Sequence, residues 1–520
     1  MMVWLLLLLA LILRFLTYKI SRRKMYKLTS LVSAPLEELP IIGVAHTMHG
    51  SSVDRMETLK QFSYYSFESH GIIRMWLFHI LYFVLTNPVD IEMILKNCLE
   101  KDDLHRFVRN VIGNGGIFAP VSIWRRRRKV TVPAFSPKII ENFVEVFSEQ
   151  SEILVKRLEP RVGTGQFSIW PYLSSYTLDS VSETAMGVKL HAQENPNSLF
   201  LQAINKLLHL VSERFFCLWL QPNWLYKFMP QYATHEKNKN IMHEFVDQVI
   251  TKKREEIKTK HESKSESENK KDFDFDSYKR NSFLDLLITL SGGEKGFTNV
   301  ELREEVLTLT VAGTDTSAVS IGYTLVLLGK YPEIQEKVHQ ELCDVFGDSD
   351  RPLVKEDISK LKYLERVVKE SLRLYPPVPF IARKVLKDIK LSSGYVLPAG
   401  SGIIVSIWGI HRDPKYWGPD AEKFDPDRFL PERFNFEHSC SFMPFSNGPR
   451  NCVGYQYALM SMKIALSTIL RRYRIVGKEG TLRNPFIKVK LQIMMKAVDD
   501  YQVALERRVP KTSDCNARGS

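Results

Sequence analysis

Six cysteines are spread over 520 residues, and no C-x-x-C occurs anywhere. Cys98, Cys217, Cys343, Cys440, Cys452 and Cys515 show no pairing rhythm, which excludes a disulfide framework and suits a reducing compartment. Around Cys452 there is no second cysteine or histidine at ligand spacing, so a zinc knuckle is excluded as well. The chain has no internal repeat and no nucleic-acid motif. Acid is comparatively scarce, with 59 Asp and Glu against 72 Lys and Arg and a net charge of +13. Such a balance attracts an anionic partner; without a nucleic-acid motif, an anionic membrane surface or an acidic protein remains.

The N-terminus narrows the choice. "MMVWLLLLLALIL" is uninterrupted and apolar, "RFLTYKI" extends it with Arg14, and "SRRKMYK" follows. Residues 1–20 are read as a signal anchor near the lower length limit for a bilayer, with Arg14 snorkelling outward. Positive charge lies only on the C-terminal flank, which keeps the body cytoplasmic. A cleaved signal peptide is the rival, weakened by the lack of an N-terminal positive region and of a clear A-x-A site. Residues 21–45 form a basic flank and a stiff hinge containing Pro35, Pro40 and Gly43. Residues 46–505 form one body, and 506–520 a polar tail.

Within the body, "FTNVE" reads as a helix start, with Thr298 and Glu301 as a capping box and Phe297 and Leu302 as a staple. Nothing breaks the pattern before Tyr331-Pro332, predicting a buried helix of about 32 residues, roughly 48 Å long. Asp315 and its many hydroxyls argue against a second membrane span. The segment 251–280 is poor in apolar residues and reads as a helix end running into a surface loop. "SKLKYLERVVKESLRLYPP" predicts a second helix, and "GYVLPAGSGIIVSIWGIHRDP" a short hairpin. The fold class is mainly α, with a small strand-rich part.

Four clusters carry chemistry. "AGTDTS", Ala312 to Ser317, places a carboxylate and three hydroxyls inside an apolar helix, where they need partners. It reads either as a satisfied polar kink or as a groove with a proton relay. "ESLR" puts Glu370 and Arg373 on one helix face, alone a weak signal. "FDPDRF" supplies Arg428 from a proline-constrained loop. "FSNGPRNCVG", Phe445 to Gly454, combines glycines that permit close backbone approach with Arg450 beside a cysteine, as a thiolate ligand loop requires.

Together these motifs resemble cytochrome P450, the haem-thiolate monooxygenases, over essentially the whole chain. The pattern F-x-x-G-x-R-x-C-x-G is met at Phe445, Gly448, Arg450, Cys452 and Gly454; Trp124 and Arg128 give the W-x-x-x-R element. The resemblance implies a cytochrome P450 fold and haem b, with Cys452 as axial thiolate and Phe445 packed near the porphyrin. It implies Trp124, Arg128, Arg383 and Arg450 at the propionates, and Glu370, Arg373 and Arg428 as a structural triad bracing the cysteine loop. His411 is read as structural. Asp315 and Thr316 are the implied proton-delivery pair; their presence argues against a haem-thiolate isomerase or dehydratase, and a non-catalytic haem-binding or sensing protein is the other alternative. Implied partners are NADPH–cytochrome P450 reductase, with cytochrome b5 as a further donor, a lipophilic small molecule, and the endoplasmic reticulum membrane.

"GNGGIF", the tryptophan element and "VPAF" resemble the family 4 clan of fatty-acid ω-hydroxylases and its many insect members. Two positions depart from it. Ala312 stands where those enzymes often carry a glutamate that esterifies haem, which implies a non-covalent porphyrin and puts strict fatty-acid ω-hydroxylation in doubt. Arg127 stands where the family commonly has histidine. Pocket residues are expected from Leu104 to Ile123, from Leu207 to Leu220, and from the Leu309 face.

Overall fold

The computed structural model describes residues 2–195, 198–264, 282–292, 295–347, 349–434 and 438–508. Helices dominate, and short strands gather into small sheets, matching the mainly α reading. The organising element is the helix Asn299–Lys330, 32 residues long as its capping box predicts. Thr298 Oγ1 accepts from the Glu301 backbone N–H (3.2 Å) and Glu301 Oε2 accepts from the Thr298 N–H (2.9 Å). Phe297 and Leu302 beside this box are both buried.

This helix is long and apolar enough to cross a membrane, but 78% of its apolar stretch is buried inside the protein. It packs against Trp170–Met186, Lys362–Leu374 and Tyr455–Arg472. The first of these crossings is close: a Cβ on Gly313 would stand 3.0 Å from Val181 Cγ2. Much of its polarity is absorbed internally. Thr308, Thr310, Thr316, Ser320 and Thr324 each donate to the carbonyl four residues earlier, so an apolar environment tolerates their hydroxyls.

The largest sheet comprises β1 (Ile72–Leu77), β2 (Ile80–Leu85), β3 (Phe380–Lys384) and β4 (Gly402–Ser406), in the order β1-β2-β4-β3. β4 pairs in parallel with β2 and antiparallel with β3. The hairpin predicted within "GYVLPAGSGIIVSIWGIHRDP" is therefore not what forms. Val396–Leu397 pairs with Ile389–Lys390, the IIV run joins strands from elsewhere in the chain, and Ile407–Ile410 is helical. A separate two-stranded sheet joins β5 (Val489–Gln492) to β6 (Met494–Ala497).

The segment read as a stiff spacer is docked on the body. The Val44 N–H donates to the Trp76 carbonyl (2.8 Å), and a Cβ on Gly43, at φ +62°, would lie 1.9 Å from that same carbonyl oxygen. Ahead of it, one helix runs from Met2 to Leu28, through the basic block. Trp4, Leu5, Leu9, Ile12, Leu13, Phe15, Leu16 and Ile20 are exposed, whereas Arg22 is buried over the Trp76 ring at 3.9 Å. The helix starting at Pro230 continues to Lys264, in keeping with a helix end within 251–280; the rest of the predicted loop and Cys515 in the tail lie outside the described residues.

Candidate active site

The loop before the helix Tyr455–Arg472 turns tightly on itself. The Cys452 N–H donates to the Phe445 carbonyl (2.9 Å) and the Asn451 N–H to the Gly448 carbonyl (3.0 Å). Gly448 sits at φ +74°, and a Cβ there would be 2.8 Å from the Leu95 carbonyl oxygen, so a side chain is barred both by strain and by space. Cys452 is deep in the protein, yet its side chain is accessible, because it opens onto a cavity of about 910 Å³. Burial pushes its thiol up; the Gly454 N–H and the Arg128 guanidinium pull the other way. No disulfide joins the five described cysteines.

A buried brace holds this loop from behind. Arg373 Nε and Nη2 donate to the two oxygens of Glu370 at 2.7 and 2.8 Å, and both side chains are fully buried. The remaining Arg373 donors reach the carbonyls of His411 (2.7 Å), Ala421 (2.6 Å) and Lys423 (3.0 Å). Arg428 Nε lies 3.6 Å from Glu370, and its other nitrogens donate to the Trp417 and Asp420 carbonyls. Removing one member of such a pair strands a buried charge and costs about 3–5 kcal/mol. His411 extends the brace: Nε2 accepts from the Met443 N–H (2.9 Å), which leaves Nδ1–H to donate to the Arg373 carbonyl (3.2 Å). Burial and the adjacent Arg373 hold this imidazole well below its usual range, hence neutral.

Five cations line the cavity: Arg55, Lys101, Arg128, Arg383 and Arg450. Arg128 donates to the Asn451 carbonyl and side chain at 3.1 and 2.7 Å, and Arg450 to the carbonyls of Ile117 and Ala119 at 3.3 and 2.6 Å. Arg450 also covers the Trp124 ring at 4.5 Å. The Nε atoms of Arg383 and Arg450 are buried without a hydrogen-bond partner. Burial lowers both guanidiniums to about 10, and Arg383 adds to the effect on Arg450. Mutually repelling cations with donors in hand are what a buried dianion needs, and the two propionates of haem are such a dianion. With the Cys452 thiol and Phe445 in the same cavity, the residues present fit haem.

The adjacent pair Asp315 and Thr316 is divided. Thr316 lines the cavity with Ala312, while its Oγ1 donates to the Ala312 carbonyl (2.7 Å). Asp315 does not line it: Oδ1 accepts from Lys496 Nζ of β6 (2.7 Å), and that ammonium stands 4.4 Å over the Trp170 ring. Asp315 Oδ2 is buried without a partner.

The expected pocket segments contribute Leu104, Ile117 and Phe118, then Phe215 and Phe216, then Leu309. Sequence reasoning missed the wall formed by Pro377 to Ala382, which leads to the expected Arg383, and the residues about the β5–β6 turn, Leu491, Ile493 and Met494. It also missed Lys101, which carries no local signal in "LEKDDLH". Arg127 does not line the cavity; it is buried among Glu304 (2.7 Å), Glu305 (3.3 Å) and the Asn114 carbonyl. Arg126 is exposed and pairs with Glu301.

Comparison with known proteins agrees with this geometry. The cytochrome P450 family model matches residues 34–501. Cytochrome P450 4c21 of Blattella germanica is 35% identical over 474 residues, covering 90% of this chain and 92% of the relative. Cytochrome P450 4V2 of Homo sapiens is 33% identical over 482 residues (91% and 90%), and cytochrome P450 4c3 of Drosophila melanogaster 36% over 444 (84% and 82%). The chain belongs to the cytochrome P450 family, the monooxygenases built on haem b with a cysteine thiolate ligand, and is similar to its family 4 members, insect ones included.

Proposed function

We propose that the protein is a membrane-anchored monooxygenase that inserts one oxygen atom of O2 into a C–H or double bond of a lipophilic small molecule. Its electrons come from NADPH through cytochrome P450 reductase, with cytochrome b5 as a further donor, at the cytoplasmic face of the endoplasmic reticulum. The observation that carries this reading is the accessible Cys452 thiol, opening from a braced loop onto an apolar cavity that also holds Thr316 and five cations. The exposed apolar face of the helix Met2–Leu28 supports the anchor, since so large a patch is seldom left in water.

Haem, when bound, supplies the redox chemistry of oxygen activation. The chain supplies the rest. Cys452 provides the sulfur ligand, its thiolate favoured by Arg128 and the Gly454 N–H. Trp124, Arg128, Arg383 and Arg450 hold the propionate end. Thr316 presents a hydroxyl within the cavity, and Asp315, beside it in the chain, is paired with Lys496, which is itself partly exposed. Leu309, Phe118, Phe215 and Ile381 line an apolar space and exclude water from it.

NADPH-dependent, reductase-dependent product formation tests the activity, after a difference-spectrum screen has identified a ligand. No product with any tight-binding ligand would point to an isomerase or a carrier. Cys452→Ala should abolish the red-shifted Soret band of the reduced carbon-monoxide complex; a variant retaining that band would overturn the ligand assignment.

A further inference from the structure

We propose that His105 is a specificity-determining residue whose Nε2 accepts a hydrogen bond from a neutral donor on the substrate, so that the cavity selects a lipophilic alcohol. The proposal rests on the monooxygenase reading above and names its substrate class. The imidazole lines the cavity together with Phe118 and Phe215, whose ring centres lie 5.8 and 6.3 Å from its own, the second edge-on. Its Nδ1 stands 3.0 Å from the Asp102 carbonyl, an atom that can only accept, so Nδ1 carries the proton and Nε2 a lone pair. That carbonyl also accepts from the His105 backbone N–H (3.1 Å). Asp102 is fixed in turn, its carboxylate accepting from the Tyr82 hydroxyl (2.9 Å) and the Leu104 N–H (2.9 Å). The ring is thus held by one edge, and the other is left to the cavity.

Nε2 has no hydrogen-bond partner among the described residues. Burial, and after it Lys101, lowers the imidazole to about 3, so the ring is neutral at physiological pH and Nε2 stays an acceptor. An acceptor shut away from water is unfavourable until a donor reaches it. The charges around the cavity choose that donor. An ammonium would meet Lys101, Arg128, Arg383 and Arg450 on the same walls, and a carboxylate brings no proton for Nε2 to accept. A neutral hydroxyl meets neither objection. The rest of the ligand is apolar, because Leu104, Phe118, Phe215, Leu309 and Ile381 line the space it fills. A site that pairs with a substrate hydroxyl discriminates against the analogue lacking it, which leaves the buried acceptor unpaired.

The test titrates holoenzyme with 1-dodecanol and with its methyl ether, which keeps the chain and the oxygen but lacks the donor, following the blue shift of the Soret band as ligand enters. The wild type should bind the alcohol about ten-fold more tightly than the ether, the effect of one buried hydrogen bond made or left unmade. His105→Phe, similar in size and without the acceptor, should bind the two equally, and the ether at least as tightly as the wild type does. His105→Gln, which keeps an acceptor, should restore part of the preference. If His105→Phe does not fold, His105→Leu gives the same comparison, and the wild-type pair of titrations needs no variant. Equal affinities in the wild type would overturn the proposal, as would a preference that survives in His105→Phe. A red shift with dodecanol would overturn it too, by placing the hydroxyl at the iron. A wild type lacking the red-shifted carbon-monoxide band would overturn the haem reading itself. Preferential alcohol binding without NADPH-dependent product would overturn the monooxygenase reading while upholding the acceptor.

Discussion

Thr316 and Asp315 are neighbours in the chain and face different surroundings, because successive residues on a helix point about 100° apart. Thr316 has a hydroxyl on the cavity side; Asp315 is anchored to Lys496. General acid–base assistance contributes about 10²–10⁴-fold to a step, so removing a hydroxyl that organises protons redirects electrons without dislodging the cofactor. In Thr316→Ala, NADPH consumption should persist while product per NADPH falls and hydrogen peroxide rises, with the carbon-monoxide spectrum little changed. Coupling unchanged in purified enzyme with reductase would remove Thr316 from proton delivery. Ala312 makes a second prediction at this scale. With a methyl group where relatives of the clan often carry glutamate, acid-acetone should extract all the haem; porphyrin absorbance left on the denatured polypeptide would contradict it. Glu305, a central-helix acid that does line the cavity, is held by Arg127 Nη1 (3.3 Å) and the Gly116 N–H (3.1 Å).

Among the elements, the brace behind the cysteine loop is built from parts far apart in sequence. Glu370 and Arg373 come from one helix, His411 from a short helical turn, and Met443 from the chain entering the loop. His411 works there only as a neutral ring, accepting at Nε2 and donating at Nδ1. Its folded-state pKa lies well below the ordinary 6.5, so below pH 6.5 the unfolded chain binds a proton that the folded protein refuses. Its contribution is complete above that pH and is lost as pH falls toward the folded value, by about 1.4 kcal/mol per pH unit. Urea unfolding of His411→Asn should therefore show lower stability at pH 7.5 and a shallower decline between pH 6.5 and 5 than the wild type. Parallel declines would mean that His411 is not the group responsible.

Over the whole molecule, the N-terminal helix meets the body near its C-terminal end: Arg22 is buried on Trp76 of β1, and Lys24 pairs with Asp388 at 2.9 Å. Deleting residues 2–20 removes the exposed apolar face and spares that attachment. The truncated protein should leave the membrane fraction in part while retaining haem and its carbon-monoxide spectrum. Complete retention in the membrane would reveal a second insertion surface; loss of haem would mean that the helix supports the body directly.

The local chemistry was legible in the sequence because each signal is short-range. A capping box needs four residues, a thiolate loop ten, and an i,i+3 ion pair one helical turn; Thr298, Cys452 and the Glu370–Arg373 pair are accordingly found where the chain announces them. The apolar N-terminal helix and the 32-residue central helix were readable for the same reason, since periodicity and length are properties of one segment. Tertiary structure decided whatever depends on distant segments meeting. The IIV run 403–405 could not reveal that it pairs with β2 and β3, because strand pairing is chosen by the core both strands cover. Asp315 could not reveal Lys496, 181 residues away, nor Lys101 its place beside Arg383 and Arg450. The charge of a side chain is written in the sequence. What neutralises it is set by folding, because burial removes the water that would otherwise solvate it and leaves only the partners packing has brought within reach.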